Sequence, residues 1–242
     1  TWRDILPIYK NKGVFAIDLP GHGMTRLKTQ GRSSLSIISS DIKKLLEKNN
    51  IRPSGIVGHS SGAAIALNLA STLGNNVDFV ISINGSFENF NGLPGIFFPM
   101  FAKILSAIPF SGQIFSRLNR NHQQVKRLLE MTGSILDERG IDLYKRLISN
   151  PAHVSGTIGM MAQWNHRELI SMSKEFSGKC LFITGENDKI VHPDVSLRES
   201  KKIKNAKMTC LKNLGHLMHE ESPREIYNEI DRFLKEFSHP NN

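Results

Sequence analysis

Three residues distant in sequence have the types and order needed for covalent acyl chemistry: Ser60, Asp188 and His216. Ser60 stands at the centre of Gly58-His59-Ser60-Ser61-Gly62, a G-x-S-x-G pattern. A serine hydroxyl is a poor nucleophile until a histidine takes its proton, and that histidine needs a carboxylate to fix its tautomer. Asp188 in TGENDKIV and His216 in NLGHLMHE follow in the order serine, acid, base expected when the serine sits on a strand-to-helix turn. In this reading Ser60 attacks, His216 shuttles the proton, Asp188 orients His216, and the Ser61 N–H helps hold the oxyanion. Glu186 competes with Asp188 for the acid, and His219 competes with His216 for the base; His192 reads as a loop residue. The His216-x-x-His219 spacing is not backed by a cysteine or carboxylate cluster, so neither a metal nor a cofactor is expected.

Positioning such a site requires a parallel sheet whose strands end at one edge. The sequence supplies short apolar runs alternating with helical patterns. Strands are predicted at Gly13–Asp18 (GVFAID), Ser54–Gly58, Val77–Asn84, Lys179–Thr184 and Ala206–Leu211. Leu35, Ile38, Ile42, Leu45 and Leu46 recur at helical spacing, with Asn49 and Asn50 as the stop. A second helix runs from Gly62 to Leu73, where Ala63, Ala64 and Ala66 allow close approach to the sheet and Gly74 ends it. Ser222-Pro223-Arg224-Glu225 opens the last helix as a capping box, and Ile226, Ile230, Phe233, Leu234 and Phe237 form its apolar face.

Between about Gly85 and Phe176 no strand is predicted, only helical stretches. Residues 1–84 and 177–242 therefore read as an α/β core, and 85–176 as an inserted helical cap. Phe87, Phe97, Met161 and Trp164, with His59 beside the nucleophile, are candidates to line an apolar substrate pocket beneath it. A bulky hydrophobic small molecule is the expected substrate. The Gly/Pro-rich start NGLPGIFFP suits a hinge.

Composition narrows the class. The 242 residues are 39% hydrophobic and 22% charged, ordinary for a globular domain. The net charge of +9 comes from scattered lysines such as Lys43, Lys44, Lys201 and Lys204, not interleaved with aromatics, which argues against nucleic-acid binding. No apolar run is long enough for a transmembrane segment and no secretory leader opens the chain, so a cytoplasmic location is expected, with peripheral membrane association left open. The two cysteines, Cys180 and Cys210, lie in predicted strands and are expected to be buried free thiols.

With DLPGHG (Asp18–Gly23), GHSSG, GENDKIVHP and LGHLMHEESP, the chain resembles the α/β-hydrolase family. The segments INGSFENFNGLPGIFFPMFAKIL, TGSILDERGIDLYKRL and NPAHVSGTIGMMAQWN further resemble the magnesium-chelatase accessory proteins of bacteriochlorophyll synthesis, the BchO type. That resemblance implies a role in photosynthetic pigment synthesis near magnesium insertion, a tetrapyrrole as candidate substrate, and magnesium-chelatase subunits as candidate partners. Two function classes stay open: a serine hydrolase acting on an ester-type bond, and a non-catalytic porphyrin-binding or chelatase-assisting protein. A generic carboxylesterase or C–C hydrolase would use the same parts. Epoxide hydrolase and dehalogenase chemistry is disfavoured, because it needs a carboxylate where Ser60 stands. The family pattern also includes, before this segment, a strand ending in an HG-type loop that supplies the second oxyanion donor. The chain opens at Thr1 with TWRDILPIYK, which reads as interior sequence. The expectation is a truncated amino terminus, missing strands that belong inside the sheet, and poor folding and catalysis without them.

Overall fold

The computed structural model describes residues 1–9, 13–26, 32–88, 110–118, 121–164 and 176–238. Helix α1 (Leu35–Lys48) starts where the Ser34 hydroxyl accepts the Ile37 N–H, and it buries Leu35, Ile38, Ile42 and Leu46. Leu45, counted on that face by spacing, is 45% exposed. Strand β1 (Gly55–His59) runs directly into α2 (Ser61–Leu73), and β2 (Phe79–Ile83) follows. Next come α3 (Ser111–Leu118), α4 (His122–Glu130), α5 (Glu138–Ile148) and α6 (Pro151–Gln163). Asn121, Asp137 and Asn150 cap the last three through their side chains, and Pro151 takes the first helical position of α6. Strand β3 (Lys179–Gly185), α7 (Pro193–Ser200), β4 (Ala206–Leu211), the short α8 (Met218–Glu221) and α9 (Pro223–Ser238) complete the chain.

The sheet is parallel throughout, in the order β1-β2-β3-β4. Its central strands are apolar on both faces because both faces are covered. Val80, Cys180 and Phe182 pack with α1 and α2, where Ala63, Ala64, Ala66 and Ala70 are buried. Ile81, Ile83, Leu181 and Ile183 meet Met218 from α8 and Ile226, Ile230 and Phe233 from α9. The side chain of Phe237, assigned by spacing to the same face, lies outside the described residues. Between β2 and β3 the described residues are helices and turns without a strand. A small core of Val125, Leu129 and Ile141 ties this segment to Leu217, just before α8.

Two expectations are corrected. Gly13–Asp18 is not a strand: among the described residues it joins no ladder, and Phe15 is 66% exposed. A strand exists only through a neighbour, and among the described residues β1 pairs only with β2. Cys210 is exposed, whereas Cys180 is buried as expected. Cys210 lies on β4, which among the described residues pairs on one side only, so apolar sequence there does not guarantee burial. Among the described residues, no helix is long and apolar enough to cross a membrane.

Candidate active site

The site is built around the turn from β1 to α2. Ser60 takes φ 53° and ψ −123°, a backbone conformation costly for a residue with a side chain. The turn is held on both sides: the Ser60 N–H donates to the Ile83 carbonyl at 3.0 Å, and the Ser60 carbonyl accepts from Ser86 N–H at 3.0 Å and Ala63 N–H at 3.1 Å. Gly58 is required by close approach, since a Cβ there would meet the Gly62 carbonyl oxygen at 2.2 Å and the Ala63 Cα at 2.6 Å. Ser61 opens α2, so its N–H is among those that helix geometry leaves without an intrahelical acceptor.

Beyond β3 and β4 two loops converge on Ser60. His216 Nε2 lies 3.1 Å from Ser60 Oγ, and His216 Nδ1 lies 2.8 Å from Asp188 Oδ2. The second Asp188 oxygen accepts the N–H groups of Ile190 and Val191, each at 2.8 Å, so the carboxylate is fixed before it meets the ring. Both Asp188 and His216 are buried, while Ser60 is half-buried. The competitors are elsewhere. Glu186 is exposed and accepts the Asn213 N–H, and His192 is exposed and caps α7. His219 is fully buried, its ring tilted against those of His59 and Trp2 with centroids 4.4 Å and 5.0 Å away; among the described residues neither ring nitrogen has a hydrogen-bond partner, the Glu220 carboxylate lying 3.9 Å from Nε2.

The pocket candidates have mixed placements. His59 turns its ring between His216 and His219 and sets Nε2 2.8 Å from the His216 carbonyl oxygen. Phe87 is buried in the core, edge-on to Phe182. Trp164 packs half-buried against that core, and Met161 is half-buried. Phe97 lies outside the described residues. Among the described residues, no cluster of three or more His, Cys, Asp or Glu side chains has the proximity to hold a metal ion.

Sequence reasoning did not find the residues that bind the helical segment to the two loops. The Thr132 carbonyl accepts both the Lys189 N–H and the His216 N–H, and the Leu217 N–H donates to Ser134 Oγ at 2.7 Å. Glu221 accepts from Gly215 N–H, Ser134 Oγ and Ile135 N–H at 2.8–3.0 Å. Asn84, fully buried at the end of β2, reaches both loops through its carboxamide. A polar side chain closing the apolar run VISI was the available signal for Asn84. The others join residues too far apart in sequence to be paired by pattern.

Two outcomes follow from this geometry. Ser60→Gly should be more stable than Ser60→Ala by roughly 1 kcal/mol in urea unfolding, because glycine relieves the left-handed strain and both lack the hydroxyl. Burial pushes the His219 ring down to about 3 from the ordinary 6.5. Between those pH values the unfolded chain binds more protons than the folded one, so stability falls as pH is lowered. Going from pH 6.5 to about 5, His219 alone should remove about 2 kcal/mol, and His219→Phe should flatten that part of the pH dependence.

Comparison with known proteins agrees with the architecture. The alpha/beta hydrolase fold family matches residues 7–223. Over 221 residues the chain is 37% identical to the magnesium-chelatase 30 kDa subunit of Rhodobacter capsulatus, spanning 91% of this chain and 77% of that protein. It is 26% identical over 242 residues to the uncharacterized hydrolase YugF of Bacillus subtilis, spanning 97% of this chain and 85% of that one. The solved structure of the epoxide hydrolase CorEH is similar with a TM-score of 0.77 at 18% identity, over 99% of this chain and 87% of the other. An α/β-hydrolase fold protein from Burkholderia ambifaria gives 0.76 at 19% identity, over 95% and 84%. Those two likenesses speak for the fold alone; with the profile match and the 37% relative, the chain belongs to the α/β-hydrolase fold family and, within it, to the BchO type represented by the magnesium-chelatase 30 kDa subunit.

Proposed function

We infer that this protein is a serine hydrolase acting on an ester-type bond of a hydrophobic substrate. The observation that carries the reading is the hydrogen-bonded line from Ser60 Oγ through His216 to an Asp188 carboxylate already held by two backbone N–H groups. As Ser60 Oγ bonds to the acyl carbon, His216 Nε2 takes its proton and the carbonyl oxygen becomes an oxyanion facing the Ser61 N–H. Collapse breaks the bond to the leaving oxygen, which receives the proton from His216. Water then attacks the acyl-serine with the same base, releasing a carboxylic acid and restoring Ser60. Asp188 holds the imidazole in the tautomer that presents Nε2 as the base, and stabilises the imidazolium while it lasts.

The pathway assignment rests on the relative that bears the name magnesium-chelatase 30 kDa subunit. It supports a role in (bacterio)chlorophyll synthesis near magnesium insertion, with a tetrapyrrole ester as the substrate class and chelatase subunits as partners. That name also favours a second reading, in which the protein binds porphyrin or assists the chelatase without catalysis. The two readings differ in what Ser60 is for.

Hydrolysis of p-nitrophenyl esters by the full-length protein tests the chemistry. Ser60→Ala and His216→Ala should each lower kcat/KM by on the order of 10⁶-fold, and Asp188→Asn by about 10⁴-fold. The double variant Ser60→Ala/His216→Ala should be no worse than either single one, since the residues act as a unit. In a strain lacking the gene, Ser60→Ala should fail to restore pigment. Restoration would favour the non-catalytic reading.

A further inference from the structure

We propose that Asn84 is the positioning residue that holds the base loop and the acid loop at their working separation. The inference rests on the serine-hydrolase reading of this site. Asn84 immediately follows β2, is 1% exposed, and takes a left-handed φ of 45°. Its backbone N–H donates to the Ile183 carbonyl of β3 at 2.9 Å, which anchors the residue to the sheet. Its side-chain Nδ2 donates to the carbonyls of Gly215 and His216, each at 2.9 Å. Its Oδ1 accepts the Gly185 N–H at 2.8 Å. Gly185 ends β3, and its own carbonyl accepts the Asp188 N–H at 3.2 Å, closing the turn that carries the acid.

One carboxamide thus saturates three buried backbone groups, two from the base loop and one from the acid strand. Only a short side chain with two N–H donors and one acceptor oxygen can do this, and asparagine also tolerates the left-handed backbone. A second donor converges on the same point: His59 Nε2 lies 2.8 Å from the His216 carbonyl. Burial, followed by the neighbouring His219 and His216 rings, holds His59 well below its ordinary pKa. The ring is neutral, and the carbonyl partner fixes its proton on Nε2. The His216 carbonyl is therefore gripped from two directions while its ring faces Ser60 on one side and Asp188 on the other. Neither grip touches a reacting atom, so both act through the position of His216.

Asn84→Asp is the informative variant. It preserves size, left-handed tolerance and the acceptor for Gly185, but it removes both donors and turns a carboxyl oxygen toward two carbonyls. Displacing a base by a fraction of an ångström to one ångström is worth about 10²-fold in rate. In the full-length protein, labelling of Ser60 by a fluorophosphonate should slow by about that factor, and the pH midpoint of the labelling rate should move. The low-field proton resonance of His216 Nδ1–H, hydrogen-bonded to Asp188, should weaken. Asn84→Ala, which removes the whole carboxamide, should do the same to labelling and resonance. Wild-type rate and pH midpoint in either folded variant would overturn the proposal. In the wild type the Asn84 side-chain N–H protons should exchange slowly with solvent, and fast exchange would overturn it without any variant. If the wild type does not label at all, the hydrolase reading fails, and the His216 resonance alone decides the role of Asn84: loss in the variants supports it, retention refutes it.

Discussion

The structure depends on one strained turn. Ser60 must hold a left-handed backbone between the end of β1 and the first turn of α2, and a side chain at Gly58 would collide with the backbone at Gly62 and Ala63. That conformation persists because its surroundings over-determine it. The Ser60 N–H and carbonyl are both bonded to the end of β2 and the residues just after it, and α2 is pressed to the sheet by buried alanines. The turn raises Oγ at the carboxyl edge, where the loops after β3 and β4 also emerge.

Those loops are not placed by the sheet alone. The Thr132 carbonyl takes one N–H from each of them, Glu221 gathers Gly215 with Ser134 and Ile135, and Asn84 bridges them from below. His216 therefore sits between the end of β2 and a turn of the helical segment. A Cβ at Gly133 would meet the Asn187 carbonyl oxygen at 1.9 Å, so that segment approaches the acid loop backbone to backbone. The helical segment thus meets the His216 backbone at the Thr132 carbonyl.

Much of this was legible locally. The apolar runs from Ser54 to Leu211 mark the four observed strands within a residue or two, and the last helix begins at Pro223, where pattern put its start, although the Ser222 hydroxyl meets the Glu225 carboxylate and not a backbone N–H. The serine motif and the order in which Asp188 and His216 follow it are likewise local signals. Choosing Asp188 over Glu186, or His216 over His219, is a matter of how two loops turn in space, and sequence only ranks those choices. GVFAID was misread because its composition is strand-like while pairing is a property of neighbours. Asn84 escaped notice because its partners lie 101 to 132 residues away.

The central claim is that Ser60 is an activated nucleophile, and locating a covalent adduct tests it most directly. After brief exposure of the full-length folded protein to a fluorophosphonate, peptide mass spectrometry should find one phosphonyl group, on Ser60 and not on Ser61. Prior unfolding should abolish the modification. A folded protein that remains unmodified, or carries the group on another residue, would contradict the account.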